Sequence, residues 1–315
     1  MSNRPFVADL KLYGPEAPRP KRISLRKARR YCRRLAKRHY ENFTVASRLL
    51  PRALRQHFYN IYAYCRGADD LADQSGDPQQ ALALLDWWEG LLRQCYRGQA
   101  DHPVFIALAE TIEAFSIPAD PFVDLLAAFR QDQQVSRYET LDKLLNYCRY
   151  SANPVGRLVL HLGRCCDEPR WLLADSICTG LQLANFCQDV ALDWARGRVY
   201  LPQTHCRRYG YDEAMFARHE CNEAFRRLLE AEVAEAEGSL HRGLPLVSMV
   251  PKELRLPVAL FIHGGLAILA AIRNVNYDVW SHRPVLSKWE KFRLAVRCWW
   301  GLRQGTLIPP PEESS

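Results

Sequence analysis

The sequence predicts an all-α protein, and three features carry that expectation. Apolar residues recur at spacings of three and four along most of the 315 residues. No convincing run of alternating strand residues appears. Prolines and capping residues sit where the periodic segments begin. The chain is 48% hydrophobic, enough for a large core without disulfides, and no internal repeat or long linker divides it. The expected organisation is an irregular arm over 1–23, one all-α domain over 24–303 and a tail over 304–315.

Taken in order, the arm holds Pro5, Pro15, Pro18 and Pro20. Ser24 can cap a helix running to about Tyr40, with Leu25, Ala28, Tyr31, Cys32 and Leu35 on its inner face. Lys21 to Arg38 carries ten Lys/Arg and no acid. A solvated face is the first reading, attraction to anionic lipid or an incoming diphosphate the second. Nucleic-acid binding ranks below both, because no recognised module or stacking pattern accompanies the charge. After the turn at Tyr40, Glu41, Asn42 and Phe43, Pro51 opens a helix that stops near Gly76. Helices are expected over 78–97, 102–115, 119–134, 140–152, 154–166 and 170–195, with Pro78, Pro103 and Pro118 near starts.

Gly197 to Pro202 reads as a loop, in which Arg198 and Tyr200 either close on phosphate or pin the loop. An amphipathic helix over 213–239 is interrupted at Gly238. Val258 to Ile272 is an apolar run short of the ~20 residues that span a bilayer. It reads as a core helix, with Gly264 and Gly265 permitting close packing and His263 a satisfied core histidine. The last helix, 287–303, combines Trp289, Trp299 and Trp300 with Lys288, Lys291, Arg293 and Arg297. That mixture suits a membrane interface and equally an ordinary packed helix with a basic edge.

Two stretches concentrate the chemistry. Tyr62, Arg66, Asp69 and Asp73 fall on one helical face, with Asp70 beside them. Far downstream, Gln182, Asn185, Asp189 and Asp193 step by three, four and four along another face. Like charges at i,i+4 destabilise a helix, and burying them unpaired is costly. Either cluster alone reads first as a solvated or salt-bridged face. Both together, in apolar and aromatic surroundings, point to a hard dication such as Mg²⁺, which takes a few carboxylates plus phosphate oxygens and water. Asn185 and Gln188 add amide oxygens and donors.

The net charge of +8 and pI near 9.0 suit an anionic partner. The eleven cysteines form no CxxC or zinc spacing. With a basic, proline-broken start in place of a signal peptide, they indicate free thiols in a reducing cytoplasm.

These motifs resemble the head-to-head prenyl synthases: squalene, phytoene and dehydrosqualene synthases. The resemblance rests on Tyr62-x-x-x-Arg66-x-x-Asp69-Asp70-x-x-Asp73, Gln182-x-x-Asn185-x-x-x-Asp189-x-x-x-Asp193 and Gly197-Arg198-x-Tyr200-x-Pro202, and runs from about Leu25 to Trp289. His39–Phe43, Tyr62–Arg66, Asn185–Asp189 and, more weakly, Leu286–Lys291 are most similar to the hydroxysqualene synthases of bacterial hopanoid pathways. The chain departs from the wider family at Tyr40-Glu-Asn-Phe43, where Ser-x-Ser-Phe is usual, at Gln188, usually Arg, and at Leu266, often Tyr. Those departures favour a partial reaction over the full two-step synthesis.

The resemblance implies an all-α isoprenoid-synthase fold with a central cavity. The implied Mg²⁺–diphosphate ligands are Asp69, Asp70, Asp73, Asn185, Asp189 and Asp193. Arg66, Tyr62 and Gln182 would be phosphate and shape partners, with Gln188 and Arg198 as further substrate contacts. Tyr147 and Val155 would line the cavity and Phe43 would cover the cation. Phe43, Tyr62, Tyr147 and Phe186 are candidate cation-facing rings, and Tyr40, Glu41 and Asn42 candidates for placing a water. The expected reaction is Mg²⁺-dependent conversion of presqualene diphosphate to hydroxysqualene, with condensation of two farnesyl diphosphates as the alternative. No hydride donor is needed and no dinucleotide fingerprint appears. The expected setting is cytoplasmic, with peripheral attachment to the inner membrane face and coupling to a presqualene diphosphate synthase.

Overall fold

The computed structural model describes residues 9–18, 23–38, 51–73 and 77–307. It is 75% helical, and the described residues contain no strand, only an isolated bridge between Arg137 and Val199. The fold is therefore all-α, as the apolar spacing predicts. In chain order the helices are α1 (Leu10–Tyr13), α2 (Leu25–Arg38), α3 (Arg52–Asp73), α4 (Pro78–Tyr96), α5 (Pro103–Phe115), α6 (Asp120–Gln131), α7 (Leu141–Ser151), α8 (Asn153–Leu162), α9 (Glu168–Gln188), α10 (Val190–Ala195), α11 (Gln203–Tyr209), α12 (Glu213–Ala217), α13 (Glu223–Arg242), α14 (Leu246–Met249), α15 (Lys252–Asn274) and α16 (Lys288–Gln304).

Local chemistry sets many of these boundaries. Asp77, Thr140, Asp167, Asp212 and Asn222 each accept a backbone N–H of the turn they open, satisfying donors a helix start leaves unpaired. Ser287 and Glu290 form a reciprocal capping box at the start of α16. Gly210 and Gly305 close α11 and α16 with φ of 71°, a conformation that suits glycine.

The described residues fall into two compact units. The first comprises Met1–Val135 with Arg157–Arg164, the second Ser136–Gly156 with Cys165–Ser315. In the first, α3 packs on α2, α4, α5 and α6. Its core is aromatic: the Tyr64 ring lies 5.0–6.0 Å from Phe122, Phe105 and Trp88, and its hydroxyl donates to the Phe122 carbonyl at 2.9 Å. Ala28, Cys32 and Leu35 of α2 are buried as expected, but Leu25 is exposed. The basic side chains Arg26, Lys27, Arg30, Arg34 and Lys37 face solvent, while Arg29 pairs with Glu110.

In the second unit, α9 is the central helix, touching α7, α13, α14 and α15. Small residues let it approach closely. A Cβ at Gly180 would sit 2.9 Å from the Leu240 backbone nitrogen and 3.0 Å from the Ala236 carbonyl oxygen of α13. One at Gly265 would meet Leu181 and Leu240 at 2.9 Å, whereas Gly264 has nothing within 4 Å. Close packing therefore rests on Gly265 alone of that pair.

Three expected boundaries change. Gly238 does not interrupt a helix; the break lies at 218–222, and α13 runs through Gly238. The apolar run at 258–272 belongs to a 23-residue helix, α15. Its length and hydropathy would let it cross a bilayer, yet α9, α13, α14 and α16 pack on it. The third change, at Asp189, belongs to the site. His263 is not a satisfied histidine: its buried Nε2 finds no hydrogen-bond partner among the described residues.

The glycine contacts make a paired test. Gly180→Ala should cost roughly 1–3 kcal/mol, because backbone of α13 must move. Gly264→Ala should be neutral or stabilising by about 0.5–1 kcal/mol, since alanine favours helix and nothing obstructs it. Denaturant unfolding of the two variants measures both signs.

Candidate functional site

The first acidic set sits on the last two turns of α3, in the first unit. Apolar spacing turns Ile61, Tyr64, Ala68, Leu71 and Ala72 into the core, which leaves Tyr62, Arg66 and Asp69 on the half-buried face and Asp73 exposed. Asp70 departs from the expected picture. Its side chain is fully buried, and the Arg66 guanidinium binds its Oδ1 at 2.5 Å and Asp69 Oδ2 at 2.9 Å. Asp70 holds Arg66 from beneath and does not line an open surface. A buried carboxylate needs such a partner.

Asp69 is half-buried, and 37% of its side chain still reaches solvent. Burial, and next the neighbouring Asp73, push its carboxyl up to about 6 despite Arg66. Burial works against the Arg66 charge, but Asp69 and Asp70 outweigh it and keep the guanidinium protonated. Burial also raises the Tyr62 hydroxyl to about 12, so it stays a neutral donor.

The second set lies in the second unit, and here the expected single helix breaks. At Asp189 the backbone leaves helical geometry, with φ −105° and ψ 17°. Hydrogen bonds continue across the break, from Asp189 N to Asn185 O at 2.9 Å and from Asp193 N to Asp189 O at 2.8 Å. The helix is re-aimed without being released. Gln182, Asn185, Asp189 and Asp193 are half-buried on this stretch.

Arg283, unmarked in the sequence reading, reaches Asp189 from 94 positions away. Its Nε donates to Oδ1 at 2.5 Å and its Nη2 to Oδ2 at 3.1 Å, a fork matched to a carboxylate. Gln188 is buried and donates to the Pro284 carbonyl, while its own Oε1 lies 3.5 Å from Arg283 Nη2. Its amide therefore fastens the 283–284 segment and is not turned toward a ligand.

Beside this set lies a box of rings. Phe186 and Tyr200 stack at 4.0 Å, nearly parallel. Tyr147 lies 5.9 Å from Tyr200 and 6.3 Å from Phe186, and Tyr138 lies 5.3 Å from Tyr147. Of the two readings of Tyr200, the structure favours the pin: it is a buried ring that holds its loop against Phe186. Tyr138 was missed, since a lone tyrosine between charged residues carries no periodic signal. It is placed by the pairing of 136–139 with 199–204, where Val199 N meets Ser136 O and Gln203 N meets Tyr138 O, each at 2.9 Å. Arg137 adds a bond to the Gly197 carbonyl at 2.7 Å and an ion pair to Glu213 at 2.9 Å. Phe186, Val190, Asp193, Arg198, Val199, Tyr200 and Leu201 surround a small recess, so Arg198 and Asp193 share one edge of the box. Val155 is half-buried in the first turn of α8. Tyr40, Glu41, Asn42 and Phe43 lie outside the described residues.

The donor set fits magnesium arriving with a diphosphate. All the candidate ligands are oxygen donors, and no three His, Cys, Asp or Glu side chains among the described residues form a metal cage by themselves. Mg²⁺ keeps waters and phosphate oxygens and needs only one or two carboxylates.

A profile described as squalene/phytoene synthase matches residues 36–290. The chain belongs to the squalene/phytoene synthase family. This is a family of prenyl-diphosphate-utilising synthases that join prenyl diphosphates head to head. The 15-cis-phytoene synthase of Synechococcus elongatus is 27% identical, over 88% of this chain and 94% of its own. The crystal structure of squalene synthase HpnC from Alicyclobacillus acidocaldarius is 44% identical, with a TM-score of 0.77 over 80% of this chain and 95% of its own. A dehydrosqualene synthase crystallised with a ligand is 26% identical, with a TM-score of 0.81 over 89% and 98%.

The raised Asp69 carboxyl predicts a pH effect of definite sign. The folded value exceeds the ordinary value of 3.8, so folding favours the protonated form. The stability this group contributes is present below about pH 4 and is lost as pH rises through about 6. In metal-free buffer, Asp69→Asn should therefore stabilise the protein at pH 7.5 by on the order of 1 kcal/mol, discounted because its tip is solvated. At pH 4 it should do almost nothing. Urea unfolding at the two pH values, with chelator present, measures the difference.

Proposed function

We propose that this enzyme converts presqualene diphosphate to hydroxysqualene in squalene and hopanoid biosynthesis. The observation that carries the reading is the ring box of Tyr138, Tyr147, Phe186 and Tyr200 beside the oxygen donors Asn185, Asp189 and Asp193. Diphosphate ionisation asks for that combination: anion stabilisation at one end and aromatic faces for a cation at the other.

Asp69, Asp73, Asn185, Asp189 and Asp193 would hold Mg²⁺, and Asp70 would act through Arg66. The bound metal would neutralise charge developing on the diphosphate oxygens. Arg66 and Tyr62 donate toward the leaving group, with Gln182 and Arg198 as further contacts. As the C–O bond breaks, the electron pair leaves with pyrophosphate. The cyclopropylcarbinyl cation rearranges, water adds through its oxygen, and one proton is lost. The balance needs no reductant. Gln188, in a position where the wider family usually has arginine, supports this step over the full synthesis.

Condensation of two farnesyl diphosphates to presqualene diphosphate, squalene or a carotenoid precursor is the second reading, favoured by the phytoene synthases among the relatives. The same proposal places the enzyme in the cytoplasm at the inner membrane face, coupled to a presqualene diphosphate synthase.

Incubation with each diphosphate separately, with magnesium and without a nicotinamide cofactor, separates the readings. Hydroxysqualene from presqualene diphosphate is the expected product. Turnover of farnesyl diphosphate alone to presqualene diphosphate or a C30 hydrocarbon would overturn it. Chelation should abolish turnover, and Asp193→Asn or Asp73→Asn should each lower kcat by roughly 10²–10³-fold with unfolding midpoints near wild type.

A further inference from the structure

Outside the site, the exposed large apolar side chains of the described residues concentrate on α16. Trp289, Phe292, Val296, Trp299 and Trp300 are each between 41% and 65% exposed. At 3.6 residues per turn they fall within an arc of about 100° along the whole helix. On the inward side Leu294, Ala295 and Leu302 are half-buried and Cys298 and Gly301 buried, and this helix packs on α15. The helix is thus held by its aliphatic and small residues and turns its aromatic ones out, the reverse of a core helix. Val285, just upstream, is 60% exposed and extends the patch.

The charges around the patch select its partner. Arg293 and Arg297 border one side of the stripe and Lys288 the other. Arg303 lies within it, its guanidinium 4.0 Å from the Trp299 ring centre. Glu290 is the one acid on the helix, and its carboxylate is engaged in the capping box. A second copy docking isologously would set this basic-rimmed stripe against another like it, with no acid on the helix left to answer the arginines and the lysine. Tryptophan and phenylalanine rimmed by Lys/Arg match the headgroup region of an anionic bilayer, where rings enter the interface and cations remain with phosphates.

We propose that α16 is an in-plane docking helix for an anionic lipid surface. It deepens the membrane setting of the proposed function and rests on that reading for its purpose. A C30 prenyl chain partitions into lipid, and α16 begins four residues after Pro284, the segment that Gln188 and Arg283 fasten to Asp189. A bilayer held on α16 therefore lies a few residues along the chain from the segment that contacts Asp189.

The test is flotation of the full chain, without substrate, on vesicles of phosphatidylcholine alone and with phosphatidylglycerol added. Binding to the anionic vesicles, weakened by salt, is the expected result. Trp289→Ser, Phe292→Ser, Trp299→Ser and Trp300→Ser combined should weaken it by at least about tenfold. Arg293→Glu with Arg297→Glu should weaken it by about fivefold or more per residue. No flotation, or unchanged binding in either variant, overturns the inference. A wild-type dimer that the quadruple variant makes monomeric would assign the face to a second copy and overturn it too. If the quadruple variant fails to fold, the charge variant decides, since it alters only exposed arginines. Both variants should turn over detergent-dispersed diphosphate substrate at the wild-type rate. Failed docking therefore leaves the catalytic reading standing, and failed catalysis leaves vesicle binding measurable.

Discussion

Arg66 is the interaction on which the first acidic set depends. Three aspartates within five positions of one helix repel one another, and one is wholly inside the protein. Arg66 binds two of them at once, Asp70 at 2.5 Å and Asp69 at 2.9 Å. The pair with Asp70 allows a carboxylate beneath α3 without an orphaned charge. That buried anchor fixes where the guanidinium lies, and the guanidinium in turn orients Asp69. The second unit repeats the device with different parts. Asp189 receives both ends of the Arg283 fork, and Arg283 is held in place because Gln188 grips the next residue's carbonyl. Each set combines a carboxylate engaged by arginine with one left on a half-buried or exposed face.

That division explains what the sequence could and could not convey. Helix positions were legible because burial leaves a period: α4 and α5 begin at the expected prolines, and α2 buries the expected alanine, cysteine and leucine. The acidic residues were legible as sets, because spacing alone places Asp69 with Asp73 and Asn185 with Asp189. Their division of labour was not. Whether Asp70 points in or out depends on one turn of phase and on what packs below, and the fully buried Ala63, Tyr64 and Leu71 draw that side inward. Arg283 carries no local signal at all. Its role arises from a contact spanning 94 positions, and only a folded chain discloses it.

The break at Asp189 was hidden for a related reason. Nothing in Phe186-Cys-Gln-Asp-Val190 is a helix breaker, and the i→i−4 bonds survive on both sides. What bends the chain is tertiary: Gln188 is pulled toward Pro284, and Phe186 is fixed against Tyr200 at 4.0 Å. Gly238 misleads in the opposite direction. A glycine within an apolar period looks like an interruption, but α13 is held along its length by α9 and α15. Packing on that scale outweighs the ~1 kcal/mol a helical glycine costs.

The same physics makes the site a local weakness of the fold. Asp69 is held where burial, with Asp73 beside it, favours the protonated form despite Arg66, so at neutral pH the metal-free protein carries an ionised group that folding disfavours. A purely structural helix would place asparagine or a solvated glutamate there. The aspartate is intelligible if its charge is answered by something absent from the chain. A dication bound with a diphosphate does so without a full protein cage, because phosphate oxygens and water complete its shell. Under that proposal, stability given up in the empty state would return as binding free energy when ligand arrives, which would couple occupancy of the first acidic set to the stability of α3.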